Sequence, residues 1–179
     1  MSDELKLVLY PNKILTKANS TITKENLYRV LPKIQEMEKI LKQHDGIGLA
    51  GPQVGINLRF CIIRYKNCNI NMLDPYILSH GKETDIVKEG CISLPDVTVS
   101  VKRFTNIVVW YFDENYEEKK EMFEGACARV IQHEIDHLNG ILLTSRMSHT
   151  SKITNRNALR LLRFMAENED TDNSDAPTT

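Results

Sequence analysis

No stretch of this chain approaches the roughly 20 consecutive apolar residues that a membrane-spanning helix needs, although 41% of its 179 residues are hydrophobic. The start of the chain carries Asp3 and Glu4 and leads into no secretory signal core. Both absences lead us to expect a cytoplasmic protein. Cysteine is sparse as well. Cys61, Cys68, Cys91 and Cys127 are irregularly spaced and form no Cys-x-x-Cys pair. The pattern suggests neither a zinc ribbon nor a disulfide framework, so reduced thiols are expected, with at most one in a site. There is no internal repeat and no second linker, and the length suits one domain that buries a core without disulfides.

Net charge is only −1, but it is unevenly placed. Residues 167–179 hold Glu167, Glu169, Asp170, Asp172 and Asp175 with no Lys or Arg, which leaves 23 basic against 19 acidic groups before them, a net +4. That acidic stretch lacks aromatics and reads as a disordered tail. The expected organisation is a single catalytic domain over residues 1–166 followed by a tail at 167–179.

Leu5 to Tyr10 reads as a short strand ended by Pro11. From Asn26 to Gln43, apolar residues at Leu27, Val30, Leu31, Ile34, Met37, Ile40 and Leu41 recur at helical spacing. Pro32 must begin or kink this helix, since an interior proline costs about 3 kcal/mol. A glycine-rich loop follows from Gly46 to Gly55. Strand-like runs then cover Arg59–Tyr65, Met72–Leu78, Asp85–Lys88, Thr98–Arg103, Asn106–Phe112 and Lys119–Phe123, with a last helix over about Lys152–Ala166. Strands in succession, flanked by helices, predict an α+β fold. Its antiparallel β-sheets pack around a central metal-binding helix, with a C-terminal helix beyond.

The central helix carries His133-Glu134-Ile135-Asp136-His137. Two histidines four residues apart project from one helix face, so their ring nitrogens can meet at one metal ion. Glu134 lies about 100° further round, placed to reach an activated water without being a ligand. Val130, Ile131, Ile135 and Leu138 give the helix its apolar side, and Asn139-Gly140 supply residue types that end it. Cys91, in Glu89-Gly90-Cys91-Ile92-Ser93, offers a third ligand, because Cys and two His with one open position is a catalytic zinc-type set. Gly90 is expected to let the backbone pass tightly beside the metal.

Gly46-Ile47-Gly48-Leu49-Ala50-Gly51 is a literal G-x-G-x-x-G, but it follows a helix, and Pro52 and Gly55 disfavour a helix after it. A nucleotide cofactor is therefore not expected. The glycines instead suggest backbone brought close to a ligand. Two rival readings stay open on the residues alone. A zinc peptidase would take its third ligand downstream, and a metal-stabilised binding module would close the site with a fourth. Neither gives Gln53 a purpose.

Together, Gly46 to Gln53, Glu89 to Ser93 and Gln132 to His137 resemble the three signatures of the peptide deformylase family, in order and separation. The resemblance extends over about residues 5–165. It implies removal of the N-formyl group from the N-terminal methionine of nascent polypeptides, with release of formate. It implies Cys91, His133 and His137 as metal ligands and Glu134 as acid/base. Gln53 and the Ile92 N–H become donors to the reacting carbonyl oxygen. Ile47, Val87, Ala126 and Val130 match the methionine pocket, and the Gly48 backbone would pair with the peptide. The family usually has Ala at Gly51, so a looser loop is expected here.

The resemblance further implies one divalent ion, Fe²⁺ at work, with Zn²⁺ or Ni²⁺ in purified protein. A weak ribosome contact through Lys152, Arg156, Arg160 and Arg163 is also expected. Asp136, on the metal side of the helix, is read either as orienting a ligand histidine or as an exposed acid, and Arg129 either as meeting a carboxylate such as Glu89 or as solvated.

Overall fold

The apolar run Phe60 to Ile63 does not alternate, which is the pattern of a strand covered on both faces. The computed structural model describes residues 4–174, with side chains through residue 168, and it bears this pattern out. One antiparallel sheet has the order β1 (Gly48–Ala50), β2 (Phe60–Tyr65), β3 (Cys68–His80), β6 (Asn106–Phe112), β7 (Glu118–Glu124). Phe60 and Ile62 join Met37, Ile40 and Leu41 of α1 (Leu31–Gln43) in one core cluster. Cys61 and Ile63 join Ile131, Ile135 and Leu138 of α2 (Gly125–Leu138) in another. The sheet is thus held between two helices, each fully buried aliphatic side chain contributing about 1.5–3 kcal/mol.

β4 (Thr84–Cys91) and β5 (Leu94–Phe104) form a separate antiparallel hairpin. Along β5, Val97, Val99 and Val101 are buried while Thr98, Ser100 and Lys102 are exposed. Leu94, Val97, Val99 and Val101 pack against Leu143, Met147 and Leu162, the last of these on the C-terminal helix. That end of the chain is broken in two at Asn155, giving α3 (His149–Thr154) and α4 (Arg156–Ser174). The Asn155 side chain donates to Thr98 O and accepts from Thr98 N, fixing the break against β5.

α2 ends where the sequence indicates. Gly140 has φ +72°, and its N–H and that of Ile141 donate to His137 O and Asp136 O. A Cβ at Gly140 would lie 2.6 Å from Thr16 O, so only glycine fits.

The α+β architecture is as expected, while several details differ. Leu5 to Tyr10 pairs with no strand; its amides at Val8 and Tyr10 donate to Gln53 O and Ser93 O instead. Residues Lys24–Arg29 form a 3-10 turn and α1 begins only at Leu31, because Pro32 lacks an N–H and fits a first turn. Cys68 and Cys127 are joined by a disulfide, so the expectation of reduced thiols fails for that pair. Spacing did not signal it, because the bridge depends on β3 and α2 meeting in space. The last helix continues to Ser174, past the boundary expected at residue 166. Of the expected acidic tail, residues 175–179 and the side chains of 169–174 lie outside what is described. No helix among the described residues is long and apolar enough to cross a membrane.

Candidate metal centre and substrate cleft

Cys91 closes β4 directly after a register shift between Glu89 and Cys91, and it pairs with Leu94 across the hairpin tip. The irregularity re-aims the strand end toward α2. On α2, His133 and His137 present their rings at 5.0 Å between centroids. Sγ of Cys91 lies 3.2 Å from Nε2 of His137, and one donor atom from each of Cys91, His133 and His137 falls within 4.8 Å of the others. One soft thiolate and two imidazoles converging in this way suit a single first-row divalent ion and leave room for a further ligand.

Glu134 is 3% exposed, and burial pushes its carboxyl up to about 7, against the lowering effect of His133. Its Oε2 is buried without a hydrogen-bond partner among the described residues. Burial takes His137 well below its ordinary value, which keeps the ring neutral and ligand-competent. For His133 burial also opposes charge, but bonds from Cys91 and Glu89 outweigh it in the absence of a metal and raise the ring to about 10.

Gln53, on the 3-10 turn Gly51–Val54, is held at both ends of its amide. Its Oε1 accepts from Ala50 N at 2.8 Å, and Nε2 donates to Ser93 Oγ at 3.1 Å and faces Cys91 Sγ at 3.5 Å. That orientation aims an N–H donor across the Cys91 sulfur. Gly51 is not a loose link: a Cβ there would meet Leu58 O and a ring carbon of Phe60, each at 2.7 Å. The expected flexibility is therefore replaced by close packing. Gly90 shows the opposite, since a Cβ there would find its nearest neighbour, Val97 O, at 4.0 Å. Tight passage beside a metal is not the reason for that glycine.

A cleft of about 580 Å³ opens over these groups. Ile47, Gly48, Gln53, Cys91, Ile92, Val130, His133 and Glu134 line it. Val87 and Ala126 do not. Val87 is 43% exposed on β4, and Ala126 lies on the exposed first turn of α2. Arg129 lines the cleft as well, its guanidinium bonded to Glu89 and Asp85.

Glu89 is the centre of a charge network. Its carboxylate accepts from His133 Nδ1 at 3.1 Å, from Arg103 Nε and Nη2 at 2.9 Å each, and from Arg129. Burial pushes Glu89 up, but the His133 and Arg103 bonds win and bring it to about 2. Arg103 also donates to Asp136 at 2.5 Å, and Asp136 is bonded by Arg146 in turn. Asp136 is therefore neither solvated nor bonded to a histidine. Arg103 and Arg146 escaped the sequence reading. The alternation Val97, Val99, Val101 carried one step further would have put Arg103 on the buried face; Arg146 left no such signal.

This is the equipment of a metal-dependent amide hydrolase: a site able to hold one ion, a buried carboxylate beside it, and a cleft with a strand edge for an extended chain. The family model described as polypeptide deformylase matches residues 4–153. A peptide deformylase of Thermotoga maritima is 36% identical over 156 residues, spanning 86% of this chain and 93% of that one. An inhibitor complex of the Plasmodium falciparum peptide deformylase superposes with TM-score 0.78 at 32% identity, covering 88% of this chain and 98% of that one. A plant peptide deformylase gives TM-score 0.85 at 29% identity over 94% of each chain. The chain belongs to the polypeptide deformylase family. Its reaction is hydrolytic removal of the N-formyl group from the N-terminal methionine of nascent polypeptides, with release of formate.

Proposed function

We propose that Glu134 is the acid/base of this reaction, that Cys91, His133 and His137 hold the metal, and that Gln53 and Ile92 stabilise the oxyanion. The observation that carries this reading is the desolvated Glu134 carboxyl, poised at about 7 between two histidines whose ring nitrogens converge with Cys91. When bound, a divalent ion supplies Lewis-acid polarisation and lowers the pKa of adjacent water toward about 7. Glu134 takes the proton of the attacking water and returns it to the departing amine nitrogen. Gln53 Nε2 and the Ile92 N–H donate to the developing oxyanion, each such donor being worth about 10² to 10³ in turnover. Ile47 and Val130 form the apolar wall for the methionine side chain, and the Gly48 backbone pairs with the extended peptide.

The working ion in this reading is Fe²⁺. Zn²⁺ and Ni²⁺ stand above Fe²⁺ in affinity for such donors, so the ion recovered with the protein reports availability rather than use. Protein loaded with Fe²⁺ without oxygen should release formate from a formyl-methionyl peptide faster than the Zn²⁺ form. It should then decay in air through oxidation of the iron and of Cys91. Equal activity of the two forms removes iron; no formate from either removes the residue assignments as a set.

Cytoplasmic location and weak docking on the ribosome belong to the same proposal. Lys152 on α3 and Arg156, Arg160 and Arg163 on α4 are all exposed, Arg163 being bonded also to the Tyr10 hydroxyl. Phosphate contacts would suit these cations. Co-sedimentation at low salt that survives replacement of all four by Ala would eliminate the contact.

A further inference from the structure

Six side chains form one alternating line beneath the metal site: Arg146, Asp136, Arg103, Glu89, Arg129 and Asp85. Three guanidinium groups face three carboxylates, so the line is formally neutral. Its middle is buried, with the Arg103 and Glu89 side chains 3% and 7% exposed, while its ends at Arg146 and Asp85 reach solvent. His133 joins the line through Glu89 Oε2. That contact fixes the direction in which the ring presents its other nitrogen.

The geometry points to Arg146 as a positioning residue for His133, acting through Asp136, Arg103 and Glu89. This inference rests on the reading of His133 as a metal ligand. Arg146 lies on the 3-10 turn Leu143–Arg146, does not line the cleft, and takes both oxygens of Asp136. Arg103 also uses Asp136 Oδ2, through Nη1, while its Nε and Nη2 hold the two oxygens of Glu89. One planar guanidinium thus spans the carboxylate of β4, two residues before Cys91, and the carboxylate of α2, one residue before His137. Its position is a balance between the two.

Without Arg146, Asp136 keeps Arg103 as its only cationic partner among the described residues, and a half-buried carboxylate with half its pairing gone draws that partner in. Arg103 then slackens on Glu89. The oxygen that accepts from His133 Nδ1 is the same Oε2 that Arg103 Nη2 holds, so the imidazole loses its fixed direction. Losing a direct partner of a ligand histidine costs about 10 to 100-fold in metal affinity. Four contacts separate Arg146 from the ring, so a loss at or below the bottom of that range is expected.

The test uses full-length protein loaded with Zn²⁺, and follows zinc loss to excess chromogenic chelator. Arg146→Met should release zinc about 3 to 10-fold faster than wild type, with the metal-free proteins melting at similar temperatures. Arg146→Lys, whose point charge cannot span both Asp136 oxygens, should fall between the two and serves also if the Met variant folds poorly. In an Asp136→Asn background, Arg146→Met should add nothing, because the intermediary is gone. Unchanged release in Arg146→Met, or the same factor with and without Asp136→Asn, overturns the positioning role. A wild-type protein that holds no zinc overturns the metal reading, and this inference with it.

Discussion

A Cβ on Gly48 would lie 2.3 Å from Oε1 of Glu134 and 2.9 Å from a methyl of Val130. The first strand of the sheet and the metal-binding helix therefore touch through a missing side chain, and the proposed acid/base is held where it is by the absence of one carbon.

Gly48→Ala should consequently displace the Glu134 carboxylate while leaving the three donor atoms in place. We expect turnover of a formyl-methionyl peptide to fall by at least about 10-fold, with an overpacking cost of about 1–3 kcal/mol. Metal content should stay at the wild-type level. An active, equally stable Gly48→Ala enzyme would show that α2 is free to move away from β1.

Glu134→Gln keeps the shape and removes the proton acceptor. Turnover should drop by about 10² or more, since general acid/base catalysis typically supplies 10² to 10⁴, and bound metal should be unaffected. Near wild-type rates in this variant would rule out Glu134 as the acid/base.

Glu89 ties stability to pH. Its carboxyl is brought from 4.5 in the unfolded chain to about 2 in the fold, so its contribution is complete above about 4.5 and fades as pH falls toward 2. The gap corresponds to about 3 kcal/mol. Denaturant titrations at pH 6 and pH 3 should show wild type losing more stability than Glu89→Gln over that interval. Parallel losses would mean that Glu89 is not held as described.

The Cys68–Cys127 bridge joins residues 59 apart in sequence. A loop of that length contributes up to about 4 kcal/mol by restricting the unfolded chain. Wild type in reductant should unfold at the lower denaturant concentration found for Cys68→Ser, while the variant itself should ignore reductant. If wild type is equally indifferent, the two thiols are not bridged in solution.

What the sequence disclosed, and what it withheld, follows the range of the interactions. Cys91, His133, Glu134 and His137 were legible because helix periodicity and a few adjacent residues specify them, and the double-sided burial of Phe60–Ile63 is written in its unbroken apolar run. Val87 and Ala126 were assigned to the pocket by family position alone. In this chain neither borders the cleft: Val87 is exposed on β4 and Ala126 on the first turn of α2. Gly51 and Gly90 were each given the other's reason: one looked loose and is tightly packed, the other looked crowded and has room. A glycine's neighbours are set by distant segments, here Leu58 and Phe60 for Gly51, and no local pattern reports them. The same holds for Arg146, whose purpose depends on Asp136 across the turn that ends α2.

The three proposed ligands belong to different layers of the molecule. Cys91 ends a strand of the isolated hairpin, whereas His133 and His137 ride on a helix fastened to the five-stranded sheet, and Cys91 and His137 are 46 residues apart in sequence. An ion bound there is thus a rivet between two plates as well as a reagent. Its affinity adds to the folded state's free energy by mass action. A chelator should therefore loosen the seam between hairpin and helix first, seen as faster amide exchange at the end of β4 before any change in β2.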